Sequence, residues 1–204
     1  MDDLKGILND SEDEDIDYPS PVTSNSSSNK HEGFIFGLSS QNVDMLSLHP
    51  PPEHVSIYWK VYTENVDPLV KVIHAPSMEP TILEANGCLD KIHRGLEALL
   101  FAVYYGAVTS MWPEECRAQF GEEKSDLLIR YRFGVEQALA RADFLQTDEI
   151  IVVQAFVIFL ICLRRNGDAR IIWTLTGLIV RMAQTLGLHR DGSHFDLSPF
   201  QIEM

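Results

Sequence analysis

The sequence predicts an all-α protein, an irregular helical bundle incomplete at its C-terminus and preceded by a disordered acidic tail. Three observations carry this expectation. From Val55 onward, apolar residues recur at three- and four-residue spacing, the period of helices with one buried face. Prolines and short polar turns interrupt that pattern at helix-length intervals. The acids, by contrast, crowd the start: residues 1–32 hold Asp2, Asp3, Asp10, Glu12, Asp13, Glu14, Asp15, Asp17 and Glu32 against Lys5 and Lys30, half of the net charge of −14.

The tail, residues 1–33, runs from these acids into SPVTSNSSSN. Such a composition buries too little apolar surface to offset the entropy of ordering the chain. Ser11, followed by Glu12, Asp13 and Glu14, resembles an acid-directed phosphorylation site, although a solvated linker is the plainer reading. Residues 34–204 form the expected domain. Its first stretch, 34–49, is short and moderately apolar, and Pro50-Pro51-Pro52 closes it.

The first helix begins near Pro52, where a missing N–H costs little, and carries Val55, Tyr58, Trp59, Tyr62 and Val66 before Pro68. A loop with Pro76 and Pro80 is expected next. Asp90 to about Met111 is a second helix, apolar nearly all round from Leu96 to Val108 and so expected to be buried on most faces. Gly95 and Gly106 within it suit close approach by other helices. Glu122 to about Ala142 aligns Leu127, Leu128, Tyr131, Val135, Leu139 and Ala142 on one stripe. Thr147 or Asp148 is expected to cap a helix over Ile150–Leu163. Asn166-Gly167-Asp168 then makes a turn, with Asp168 as cap of a helix over Ala169–Leu186. That helix is expected to bury Ile171, Ile172, Leu175, Leu178, Ile179, Met182 and Leu186, and to stop at Gly187. Ser198-Pro199 opens a further helix that reaches barely one turn by Met204.

Several function classes find no support. An acidic surface repels phosphate backbones, and no Lys/Arg run is present. Cys88, Cys116 and Cys162 are odd in number and far apart, which argues against a disulfide framework. No G-x-S-x-G, G-x-x-x-x-G-K-[ST] or G-x-G-x-x-G occurs. The paired acids Glu114/Glu115 and Glu122/Glu123 suit helix starts rather than acid–base dyads. Ile150–Leu163 is shorter than the ~20 apolar residues a spanning helix needs, so no membrane partner is expected. His189, Asp191, His194 and Asp196 crowd one loop and could ligate a metal, but their spacing is not that of structural zinc sites, and a solvated loop is the plainer reading. Arg164, Arg165, Arg170 and Arg181 could grip an anionic effector, against simple solvation and pairing with Asp168.

Tyr62–Ser77, Glu97–Met111, Tyr131–Leu145 and above all Ala169–Met204 resemble the middle homology region of fungal zinc-cluster transcription factors. The signature places are filled by Trp173, Gly177, Arg181, Ala183, Leu186, Gly187, Leu188, His189, Arg190 and Asp191. The resemblance implies an all-α regulatory domain of a nuclear, DNA-binding regulator, with protein partners or a second copy engaged through helix faces. In that family zinc sits in an N-terminal Cys-x2-Cys-x6-Cys cluster that reads DNA. These residues contain no such cluster, so no zinc ligand, catalytic residue or DNA contact is assigned, and the signature residues are expected to be structural or regulatory. The alternatives are a helical metal-dependent enzyme centred on His189–Asp196, a stand-alone modulator that binds intact relatives, and a membrane-associated protein using Ile150–Leu163.

Overall fold

The computed structural model describes residues 43–164 and 169–190, all within the compact unit His31–Met204. The tail, the Asn166–Asp168 turn and the helix expected from Ser198 lie outside the described residues. Among the described residues there are seven α-helices and no strand: α1 (Pro52–Asn65), α2 (Ala75–Ala85), α3 (Arg94–Ser110), α4 (Pro113–Phe120), α5 (Lys124–Arg141), α6 (Ile150–Leu163) and α7 (Ala169–Thr185).

The centre of the bundle is α3, packed against α1, α5 and α6. Every residue from Glu97 to Thr109 is buried, as the all-round apolar composition requires. The helix starts at Arg94 with His93 as its cap, four residues later than the sequence suggests. Two glycines set how closely its neighbours approach. A Cβ at Gly95 would lie 2.8 Å from Ile151 Cγ2 on α6. A Cβ at Gly134 of α5 would lie 2.5 Å from the Phe101 ring. Gly106 is less constrained, with Tyr62 at 3.4 Å. At the other end of α3, the Lys124 ammonium donates to the carbonyl oxygens of Thr109 and Met111, satisfying groups the helix terminus leaves open.

Buried aromatic rings join α1, α3 and α5. Tyr58 stacks on Phe120 at 4.2 Å, and Tyr58, Tyr104 and Tyr131 meet pairwise at 5.3–5.4 Å. The Tyr131 hydroxyl donates to the Tyr58 hydroxyl at 3.0 Å. Below α1, His49 inserts between Phe101 and Tyr104. Its Nε2 lies 3.8 Å from Glu97 Oε1, while Arg141 Nη1 holds Glu97 Oε2 at 3.1 Å. This chain of groups, buried at His49 and Glu97, pins residues 45–49 onto α3 and α5.

Two elements differ from expectation. The segment with Pro76 and Pro80 is the helix α2, not a loop. Pro76 falls in its first turn, where no N–H is needed. Pro80 comes early enough that its missing bond removes only a partner for the first-turn carbonyl, and burial of Ile82 and Ala85 against the rest of the domain compensates. The cap of α6 is Glu149, not Thr147 or Asp148; the Thr147 hydroxyl nonetheless accepts from the Glu149 N–H at 3.1 Å. Within α6 the single polar residue, Gln154, donates to the Val72 carbonyl at 2.8 Å, tying this helix to the α1–α2 connection.

At the edge of the bundle, α7 packs against α6. Only Leu175 is fully buried, while Ile172, Leu178, Ile179, Met182 and Leu186 are half-buried. Ile171, expected inside, is exposed: among the described residues the main neighbour of α7 is α6, and Ile171 lies off that seam. Gly187, at φ +79°, ends the helical run in the left-handed conformation.

Candidate functional site

Burial favours the protonated form of both core thiols. Burial pushes the Cys162 thiol up to about 12 and raises Cys116, the nearby Lys124 lowering it less than burial raises it. Cys88 is exposed. At pH 8 a thiol reagent is therefore expected to label one cysteine of the folded chain, Cys88, and to reach the other two only on unfolding. Mass spectrometry of labelled peptides checks this; rapid native labelling of Cys162 would contradict the packing of α6. The His49–Glu97–Arg141 group is closed to substrates, since the His49 side chain is 1% exposed. Among the described residues no group of three or more His, Cys, Asp or Glu could hold a metal ion. Of the loop considered for metal, His189 is exposed, and Asp191, His194 and Asp196 lie outside the described residues. Among the described residues no helix is long and apolar enough to cross a membrane.

Among the described residues, α7 presents an open face. Trp173, Gly177 and Arg181 follow one another at four-residue spacing along its outer side and all three are exposed, the Trp173 indole at 80%. Val180 flanks them, about half exposed. The hydroxyls of Thr174 and Thr176 donate to the carbonyls of Arg170 and Ile172, four residues back, so the helix itself satisfies them. A Cβ at Gly177 would meet nothing within 4 Å. Two open grooves, each of about 520 Å³, run beside this ridge. One lies between α6 and α7 with Ile161, Arg164 and Trp173 in its wall; the other lies beyond, with Gly177, Val180 and Arg181.

The signature residues thus divide between two sides. Trp173, Gly177 and Arg181 form the outward ridge. Ala183, Leu186 and Gly187 are half-buried; Leu188, His189 and Arg190 are exposed beyond the helix end, and Asp191 is outside the described residues. The residues sequence reasoning passed over are Ile161 and Val180. Their signal was weak: each sits in a run of aliphatic residues and reads as core.

The described residues thus form an all-helical bundle with an exposed aromatic–cationic ridge on its last described helix. Residues 55–204 match the family model of the fungal specific transcription factor domain, and the chain belongs to that family. It is 41% identical, over 81% of its length, to the aurofusarin cluster transcription factor of Gibberella zeae. It is 34% identical over 95% of its length to the pyriculol/pyriculariol biosynthesis cluster transcription factor 1 of Pyricularia oryzae, and 34% over 82% to a C6 finger domain transcription factor of Aspergillus fumigatus. The chain spans about a quarter of the length of these relatives, 26%, 25% and 25% respectively. No solved structure matches it.

Proposed function

We propose that this chain is the regulatory part of a nuclear transcription regulator and acts through protein contacts rather than DNA contacts. The observation that carries the reading is the family match over residues 55–204. The physical features agree with it. The chain carries a net charge of −14, which opposes association with a phosphate backbone. Its three cysteines cannot make a six-cysteine cluster, so zinc and DNA readout would belong to other residues of a regulator of this family. The alternative of a metal-dependent enzyme is not favoured, because the relatives named above are transcription factors.

The test joins the 204-residue chain to an unrelated DNA-binding domain in a fungal reporter strain. Reporter output is expected to change at least threefold, in either direction, relative to the DNA-binding domain alone, and the isolated chain is expected to leave duplex DNA unshifted at micromolar concentration. Unchanged output in the reporter, or tight salt-resistant DNA binding by the chain alone, would defeat the proposal.

A further inference from the structure

Charge on the α6–α7 side of the molecule runs against that of the chain as a whole. The net charge is −14, yet no Asp or Glu occurs between Ala169 and Arg190, and α6 carries no charged residue at all. Cations stand there instead. Arg164 lines the groove between α6 and α7, and Arg181 lines the groove on the other side of the Trp173 ridge. Arg181 donates to the neutral Gln184 amide at 3.1 Å, so this bond leaves its charge uncompensated. Between these cations lie the exposed Trp173 and Val180. The notch at Gly177, where a Cβ would touch nothing, lets a second backbone approach the helix closely. Trp and Arg are among the residue types that most often anchor protein interfaces.

We infer that the outer face of α7 docks an amphipathic, acidic helix of a partner protein, whose apolar stripe lies on Trp173 and Val180 and whose carboxylates bracket that stripe to meet Arg164 and Arg181. Trp173 and Arg181 are eight residues apart, roughly 12 Å along a helix, so a partner helix of about four turns covers both anchors. Helix-in-groove binding of this kind uses apolar anchors for affinity and flanking charge for orientation and choice of partner. The inference names the chemistry of a partner for the regulatory reading and rests on that reading for its biological setting. The binding experiment stands apart from the reporter: a chain that regulates but binds no acidic helix refutes the docking alone.

The probe is a fluorescein-labelled helical peptide of about sixteen residues, with a Leu/Phe stripe flanked by Glu, titrated with the full 204-residue chain. A control peptide carries Lys in place of every Glu. Saturable anisotropy is expected for the Glu peptide, with a Kd on the order of 10 μM, and none for the Lys peptide. Trp173→Ala and Gly177→Leu are expected to weaken binding at least tenfold while circular dichroism and Tm stay near those of the parent, since both positions are on the surface. Arg181→Glu is expected to lose the Glu peptide and gain the Lys peptide, a reversal that simple misfolding cannot produce. Equal affinity for both peptides, no saturation up to about 200 μM, or binding indifferent to Trp173→Ala would overturn the inference. So would a dimer, seen by light scattering, that Trp173→Ala dissolves, because a second copy would then be the occupant.

Discussion

Raising the pH above 10 is expected to unfold the chain cooperatively over a narrow interval. Tyr58, Tyr62, Tyr104, Tyr105 and Tyr131 are each at most 2% exposed. Burial raises the hydroxyl pKa of all five, pushing Tyr105 up to about 12. The shared hydrogen bond and mutual charge effect of Tyr131 and Tyr58 raise Tyr58 further. Below the unfolded value near 10, both states hold their phenolic protons and this contribution to stability is complete. Above it the unfolded chain releases protons that the native one retains, so stability falls as pH rises, by ~1.4 kcal/mol per pH unit for each such group. For Tyr58, Tyr62, Tyr104 and Tyr105 together the loss reaches roughly 5 kcal/mol by pH 11, comparable with the whole stability of a marginal domain. Phenolate absorbance and the helical circular dichroism signal are expected to change together. Gradual phenolate formation from pH 10 with the helices intact would show that the tyrosines are wetter than the packing implies.

Replacing Phe101 by alanine is expected to cost about 3–5 kcal/mol, with a fall in Tm of roughly 10 °C or more. The ring is fully buried on α3, with His49 at 4.4 Å and Tyr104 at 5.8 Å. It is also the object that excludes a side chain at Gly134, where an added Cβ would come within 2.5 Å of it. Gly134→Ala alone sets two effects against each other. Alanine favours the helix by up to ~1 kcal/mol, while overpacking costs about 1–3 kcal/mol. The net is expected to be destabilising. In Phe101→Ala the space is vacant, so the second change should then be neutral or stabilising. The double mutant is expected to be more stable than the sum of the single changes by about 1–2 kcal/mol in chemical denaturation. Additivity within ~0.5 kcal/mol would show that something other than the ring sets the α3–α5 spacing.

These residues also show what the sequence makes legible. The run Leu96–Val108 declares its own burial, because a helix apolar on every side has nowhere to go but the centre. α6 emerges with the expected ends, Ile150 and Leu163, for the same reason. Gly95 was legible as a point of close approach. Gly134 was not, since it stands in a stripe that Tyr131, Val135 and Leu139 already explain. α2 was hidden by Pro76 and Pro80, whose local effect depends on their position within a helix whose start the sequence did not mark. α7 is the instructive failure. Its apolar stripe was plain, but periodicity gives only the line of greatest hydrophobicity and not how much of it a neighbour covers. Trp173 came into view through the family resemblance, whereas its exposure belongs to packing and was unreadable from spacing.

The attachment of α7 gives the domain two levels of cohesion. To open α3, the contacts with α1, α5 and α6 must all dissolve together, which is nearly the same event as losing the fold. Among the described residues α7 is held mainly by its seam along α6, with Leu175 its single fully buried residue. Local opening at this edge therefore lies far below global opening on the energy scale. A molecule that seats on the outer side of α7 would raise the lower level without touching the upper one. The edge helix can thus answer to occupancy while the rest of the bundle remains indifferent to it, so loss of a binding partner would register as fraying at one margin rather than as collapse.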